Sequence, residues 1–426
     1  MPQRQPAGCR RYREALSGAE ILMTEHLYYH DSFLYEFDAE VVDVMSEPRP
    51  AVVLNRTAFY PTSGGQVFDT GWMVAENGRV RVSEVAEQED GTILHLIEGT
   101  GDVQKGSRIR GMVDVDRRKD HVQQHSGQHV LSAAFVQLFN MPTVSFHMGA
   151  ESCSIDLDAT NVTTAQVEAA EARANDVIAQ DRPVSVRFVT QEEAQGLGLR
   201  KIPPVERDKL RLIDIRDFDL TACGGTHVAA TGQIGCILLR KIEKVRQGWR
   251  VEFVCGKRAV GTARRDYATL AEAAGLCSSH IWDLPQQIRK FQEEARTSRK
   301  WGEQLLEEIA ALHAGRLLSE TVETAGRRIV VQIYPDRDLS FIKLLAQRLT
   351  RQNPNVVALL GCTSSPPALV FARSSEQPFD MGALMKEALA KLGGRGGGSK
   401  DMAQGGPAQV EGIQAALTEI AAKLRA

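Results

Sequence analysis

No stretch of this sequence stays apolar for more than a handful of residues, far short of the roughly 20 that a membrane-spanning helix needs. A membrane is therefore not an expected partner, and the chain reads as soluble. The first 22 residues carry Arg4, Arg10, Arg11 and Arg13 but no apolar core, so they lack the makeup of a secretory signal. Glu14 and Glu20 argue against an Arg-rich transit peptide, and 1–22 reads as a disordered extension ahead of Met23. Cysteine is sparse: seven residues, an odd number at irregular intervals. That excludes a disulfide framework and points to a reducing cytoplasm. No Gly-Lys-Ser or Gly-Lys-Thr ends a glycine-rich run, no His-Glu-x-x-His is present, and no tandem repeat is found, which removes a P-loop, a zincin helix and a solenoid.

Neither sign of charge dominates overall, with 51 Lys and Arg against 54 Asp and Glu. The distribution is uneven. Asp31–Lys105 holds 14 acidic and 5 basic residues, whereas Cys236–Arg265 holds 9 basic and 2 acidic. A local basic stripe can meet phosphates on a slightly anionic protein, because screening confines each charge to roughly 8–10 Å; a solvated charged surface is the plainer alternative.

The apolar pattern organises the chain as α+β. Short alternating runs from Phe33 to Val115 (Val41, Val42, Val44; Ala51–Leu54; Val80, Val82, Val85; Ile93, Leu94, Leu96), broken by Gly and Pro, predict a small β-barrel or sandwich. Val122, Val130, Leu131, Ala134, Phe135 and Leu138 then recur at helical spacing, predicting a helix of about 20 residues over Arg117–Phe139. Strands at Cys153–Leu157, Val184–Val189 and Leu210–Ile215, a helix at Thr164–Ala179 and a hairpin of Ile234–Lys241 with Trp249–Cys255 complete a second domain. Leu284–Glu320 predicts a long charged helix, a spacer or a seam on which two copies could pair. Alternating strands and helices beyond Arg327 predict a compact α/β module. The expected boundaries are 1–22, 23–115, 116–265, 266–322 and 323–426.

Chemistry concentrates in two pairs. His125 and His129 stand four apart on the predicted helix, so both project from one face. Cys223 and His227 flank Gly224, Gly225 and Thr226, where two glycines let a thiolate and an imidazole fold toward one point. One Cys with three His suits a single Zn²⁺ per chain. Four protein ligands leave open whether such an ion is structural or catalytic. His121 falls off the line of the helical pair and reads as an outer or packed histidine.

The run QQHSGQHVLSAAF (Gln123–Phe135), followed about ninety residues later by TACGGTHV (Thr221–Val228), resembles the editing domain of alanyl-tRNA synthetase and its freestanding relatives, the AlaX alanyl-tRNA editing proteins. FYPTSGGQVFDTG (Phe59–Gly71) resembles the glycine-rich motif of the preceding β-rich domain, and KVRQGWRVEFVCGKRA (Lys244–Ala259) the segment that closes the editing site. GGRGGGSKDMAQGG (Gly393–Gly406) resembles the C-terminal DHH-associated domain, so the likeness runs from Thr24 to the end, as in the long form of the family. By composition alone that glycine run would be a flexible linker.

The resemblance implies a hydrolase that removes serine or glycine from tRNA(Ala), with His125, His129, Cys223 and His227 as zinc ligands. It implies that Gly64, Gly65 and Gln66 line or shape the pocket and that Thr143, Ser145 and His147 lie near the substrate as polar, catalytic-side residues. Arg240, Lys241, Lys244, Arg246 and Arg250, with Arg395 and Lys400 in the glycine run, are the candidates for tRNA contact. Only about 30 residues precede the first predicted strand, so aminoacylation is not expected. The rival reading is a zinc-stabilised tRNA-binding protein without catalysis. A DHH phosphoesterase is disfavoured, since Asp120-His121-Val122 is the nearest approach to its acidic metal cluster.

Overall fold

The structure, a computed structural model, describes residues 24–426 apart from 77, 100–102, 198, 200–208 and 352. The extension expected at 1–22 lies outside them. The chain divides into two compact units between Leu270 and Ala271.

The first unit begins with β1 (Glu25–His26), which pairs in parallel with β4 (Arg56–Thr57). Six strands then close a barrel: β2 (Glu36–Met45), β3 (Ala51–Leu54), β5 (Gly71–Ala75), β6 (Gly78–Glu87), β7 (Ile93–Glu98) and β8 (Arg108–Val113), in the order β2-β3-β7-β6-β5-β8. Alternate residues such as Phe37, Ala39 and Val41 of β2 and Val80 and Val82 of β6 fill the interior. Closure leaves no free edge, which decides the barrel-or-sandwich alternative for the barrel.

Helix α1 (Val115–Phe139) starts where the Asp114 side chain accepts a hydrogen bond from the Arg117 amide. It stops at Asn140, whose left-handed backbone (φ 53°) precedes Pro142. Nearly every position from Val122 to Phe135 is buried, polar ones included, so α1 is a central helix rather than an amphipathic surface one. The elements that surround it are β9 (Thr143–Met148), β10 (Cys153–Leu157), α2 (Thr164–Ala179), β11 (Val184–Val189), the single turn α3 (Gln191–Gln195), β12 (Leu210–Ile215), β13 (Asp219–Ala222), β14 (Ile237–Val245) and β15 (Gly248–Cys255). They form a four-stranded sheet, β14-β15-β10-β9, and a three-stranded one, β11-β12-β13. The core packs α1 and α2 with the inner-facing Met148, Cys153, Ile155, Leu157, Val251 and Phe253 of the larger sheet. The expected hairpin is present one turn later in its first strand, because Ile234 closes a short 3-10 turn instead. Helix α4 (Gly256–Leu276) follows.

In the second unit α5 (Leu284–Glu320) has the bounds expected of the long helix. Ala310, Ala314 and Leu317 near its end are buried, while Phe291, Trp301, Leu305 and Leu312 are exposed. The remaining elements are β16 (Arg328–Tyr334), α6 (Leu339–Arg351), β17 (Val356–Cys362), β18 (Ala368–Arg373), α7 (Met381–Leu392), β19 (Arg395–Gly398), β20 (Met402–Gly406) and α8 (Ile413–Arg425). Their sheet runs β16-β17-β18-β20-β19. Side chains of β17 alternate between its two faces. Val356, Ala358 and Leu360 pack with α5 and α6, whereas Val357 and Leu359 pack with α7 and α8. The glycine run is a hairpin of this sheet and not a linker: a Cβ on Gly396 would lie 2.5 Å from the Cα of Gly405 and 2.6 Å from Leu389 of α7. Among the described residues no helix is long and apolar enough to cross a membrane.

Candidate metal centre

Helical spacing brings His125 and His129 ring to ring, with centroids 5.1 Å apart. The loop that leaves β13 delivers Cys223 and His227 to the same point. His125 Nε2 lies 3.1 Å from Cys223 Sγ and 3.2 Å from His129 Nε2, and the His227 ring sits 4.7 and 4.8 Å from the other two. All four candidate ligand atoms fall within 4.8 Å of one another. Tetrahedral zinc with bonds near 2.0–2.3 Å places its ligand atoms about 3.3–3.5 Å apart, so this set is close to the spacing an ion demands. His227 Nε2 is buried with no hydrogen-bond partner among the described residues, an orphan that a metal would satisfy. Three imidazoles and one thiol therefore fit Zn²⁺ in both donor chemistry and spacing.

Burial sets the electrostatics. It pushes His125 down to about 3, with Arg211 adding to the effect, and drives His227 well below its ordinary value, helped by His125, His129 and Arg211. These imidazoles are neutral near pH 7, the form that binds metal. Burial raises the Cys223 thiol, opposed by the Gly225 amide 3.3 Å from its sulfur and by Arg211. Outside the ring of ligands, Asp219 Oδ2 lies 4.0 Å from His129 Nδ1, and Ser126 Oγ lies 3.5 Å from His227 Nδ1. Such groups orient metal-binding imidazoles.

The loop is packed from below. A Cβ on Gly225 would lie 2.6 Å from the His125 ring, so only glycine lets the chain pass there. Gln66, fully buried, donates from Nε2 to Thr226 Oγ1 at 2.9 Å and accepts the Thr226 amide at 3.1 Å. Arg211 donates to the carbonyls of Cys223 and Gly225 at 2.6 and 3.0 Å.

The other expected site residues divide. Gly65, at φ +85°, sits against Phe146, whose ring is 5.6 Å from that of His125, while Gly64 at φ +56° has open space where a Cβ would go. Gln66, expected to line or shape the pocket, has both ends of its amide taken by Thr226 and so supports the loop. Thr143 turns toward α1, its Oγ1 2.6 Å from Ser132. Ser145 and His147 do not join it. Phe146 faces the histidines, and strand alternation turns its two neighbours to the opposite face of β9; Ser145 there donates to Asp156 at 2.7 Å, and His147 is exposed. His121 is also outside the cluster, with Nδ1 4.0 Å from Asp69.

Arg250 and Lys241 of the basic stripe lie on that outer face, and the stripe is partly neutralised. Arg240 pairs with Asp266, Lys241 with Glu243 at 2.6 Å, and Arg250 with Asp156 at 2.7 Å. Lys244 and Arg246, beside the hairpin turn, are exposed and make no ion pair among the described residues. Arg395 and Lys400 are exposed on the glycine hairpin of the second unit.

Sequence reasoning missed Arg211, Asp219 and the pair Asp69–Arg118. Arg211 did leave a signal: a lone cation between Leu210 and Leu212 in a mostly apolar strand.

A barrel feeding a helix with paired histidines, opposite a Cys-Gly-Gly-Thr-His loop, defines a synthetase-related editing module, and three family models agree. The class II (A) tRNA synthetase model matches residues 14–117, the threonyl and alanyl tRNA synthetase second additional domain matches 210–251, and the DHHA1 domain matches 326–426. Alanyl-tRNA editing protein AlaX-L of Pyrococcus horikoshii is 31% identical over 387 residues, covering 90% of this chain and 94% of that one. Alanine–tRNA ligases of Archaeoglobus fulgidus and Methanothrix thermoacetophila are each 32% identical, and this chain spans 42% and 44% of their lengths. The chain belongs to the AlaX family of alanyl-tRNA editing proteins, in its long form.

Proposed function

We propose that this protein is a trans-editing deacylase that cleaves the aminoacyl ester of Ser-tRNA(Ala) and Gly-tRNA(Ala). The observation that carries the reading is the buried cluster of His125, His129, Cys223 and His227, central to a chain that spans 94% of an alanyl-tRNA editing protein. The need for such an enzyme is physical. A site built for alanine cannot strongly reject glycine, which is smaller, or serine, which only adds a hydroxyl.

His125, His129, Cys223 and His227 would hold one Zn²⁺. When bound, an ion with a single thiolate carries net positive charge and supplies Lewis-acid stabilisation for the ester's developing oxyanion. The residues of the chain do the rest. Burial keeps the imidazoles neutral and excludes bulk water, and the narrow seat of Gly65 and Gly225 brings main chain close to the cluster. Thr143 is the candidate partner for the serine hydroxyl, since it faces α1, where its own hydroxyl meets Ser132. Lys244 and Arg246, unpaired, are better candidates for phosphate contact than the ion-paired Arg240, Lys241 and Arg250, and Arg395 with Lys400 offers a second contact on the other unit.

The working division is an extension at 1–22, a barrel domain at 23–115, an editing domain at 116–265, a helical arm at 266–322 and a tRNA-binding DHH-associated domain at 323–426. The exposed Phe291, Trp301, Leu305 and Leu312 of α5 suit pairing with a second copy, and a cytoplasmic setting suits the free thiols.

Deacylation of purified Ser-, Gly- and Ala-tRNA(Ala) tests the reading. Wild-type protein should release serine and glycine, spare alanine, and lose activity in Cys223→Ala. Binding without turnover above buffer would leave the zinc-stabilised tRNA-binding protein as the answer.

A further inference from the structure

We infer that Arg211 is the positioning residue of the metal centre, fixing the spacing of Cys223 and His227 before any ion arrives. The inference rests on the metal reading above and adds a residue to it. Regular structure ends at Ala222, and the next five residues include two glycines. Neither adopts a left-handed backbone, so no special conformation locks the loop. Ordering a free segment costs about 1–2 kcal/mol per residue, and glycines lose most. Something outside the loop must therefore hold it.

Arg211 does so from β12. Its Nε donates to the Tyr29 carbonyl at 3.0 Å and its guanidinium lies 5.4 Å from the Tyr29 ring, which anchors the fork. Its Nη1 then reaches the carbonyls of both Cys223 and Gly225. The peptide joining Gly225 and Thr226 is gripped at both ends, since its carbonyl accepts from Arg211 and its N–H donates to Gln66 Oε1. That peptide sits midway between the two ligands of the loop. With the Cys223 carbonyl turned toward the guanidinium, the Gly225 amide is left 3.3 Å from Cys223 Sγ, oriented to support a thiolate. A lysine could not copy this, because one ammonium on a flexible stem lacks the planar fork that spans several acceptors. A buried cation is also a costly way to close a loop, and Arg211 is 92% buried with apolar neighbours on either side, so a bare packing role would be better served by leucine.

The test uses the full chain and no tRNA. Zn²⁺ affinity is measured by chelator competition, and Co²⁺ is bound as a spectroscopic probe of ligand geometry. Arg211→Lys, which keeps the charge, should remain folded by circular dichroism, bind Zn²⁺ at least tenfold more weakly and show altered visible Co²⁺ bands. Arg211→Met should lose more. A folded Arg211→Lys with wild-type Zn²⁺ affinity and an unchanged Co²⁺ spectrum overturns the inference. Hydrogen exchange on metal-free wild-type protein needs no variant: the Gly225 and Thr226 amides should be protected before Zn²⁺ is added, and free exchange there overturns the preset loop. Wild-type protein that binds no Zn²⁺ sinks the metal reading itself, while absent deacylation with these readouts intact sinks only the proposed activity.

Discussion

Arg118 donates through Nε to both carboxylate oxygens of Asp69, at 3.2 and 3.0 Å, and neither side chain has any solvent exposure. The same guanidinium reaches the carbonyls of Ser32 and Ala58, and Asp69 also accepts the Tyr60 amide at 2.7 Å. The first turns of α1 are thereby tied to the barrel that precedes it, which sets where the paired histidines two turns later will stand.

Removing one member of that pair strands a buried charge. Asp69→Ala should cost about 3–5 kcal/mol of folding stability, measured by urea unfolding. A cost under about 1 kcal/mol would mean that Arg118 finds another partner or reaches water.

Asp219 should matter to metal affinity without being a ligand. Losing an outer carboxylate of this kind typically weakens binding 10- to 100-fold, so Asp219→Asn should do so in chelator competition while leaving Cys223 and the three histidines in place. His129→Ala, which deletes a proposed ligand, should remove bound Zn²⁺ altogether; full retention in that variant would refute the assignment.

Stability should fall in mild acid through His95. This histidine is fully buried between Thr57 Oγ1 and the Val52 carbonyl, and burial pushes it down to about 4. The unfolded chain takes a proton near pH 6.5 while the folded one refuses it until about pH 4. Between those values the unfolded state binds more protons, so stability rises with pH and is lost as pH falls through that window, by about 3 kcal/mol in all. His95→Gln should flatten that part of the pH–stability curve, as read from urea midpoints at pH 7 and pH 4.5.

The neighbouring glycines should answer differently to alanine. At Gly64 only the left-handed backbone resists a side chain, worth roughly 1–2 kcal/mol. At Gly65 a Cβ also lies 2.5 Å from the Phe146 carbonyl, main chain that cannot swing aside, so β9 must shift beside His125. Gly65→Ala should therefore reduce deacylation far more than Gly64→Ala, and equal effects would contradict this geometry.

Charge reversal at Lys244 and Arg246 should weaken tRNA binding and lower the slope of log K against log salt by about one per lost contact. The same change at Arg250 should be milder for RNA and costlier for the fold, since it breaks the pair with Asp156.

Much of the fold was legible because the signals are local. The period of α1, the bounds of α5 and the alternation of the barrel strands each depend on neighbours within a few residues. The glycine run was misleading when read by composition, because its glycines answer to Leu389 and to each other across a hairpin, contacts that composition does not encode.

For the site, the sequence by itself marked the candidate ligands: His125 and His129, four apart on a helix, share one face whatever else the fold does, whereas the loop that carries Cys223 and His227 is held by contacts with Arg211 and Gln66. Only the tertiary structure decided which polar neighbours serve them. Ser145 and His147 fall on the face of β9 opposite Phe146 while a register shift against β10 turns Thr143 inward, Arg250 is paired with Asp156 ninety-four residues away, and Gln66 and Arg211 meet the same peptide from a barrel loop and from β12. Those outcomes depend on register and on partners distant in sequence, and long-range pairing leaves no local period to read.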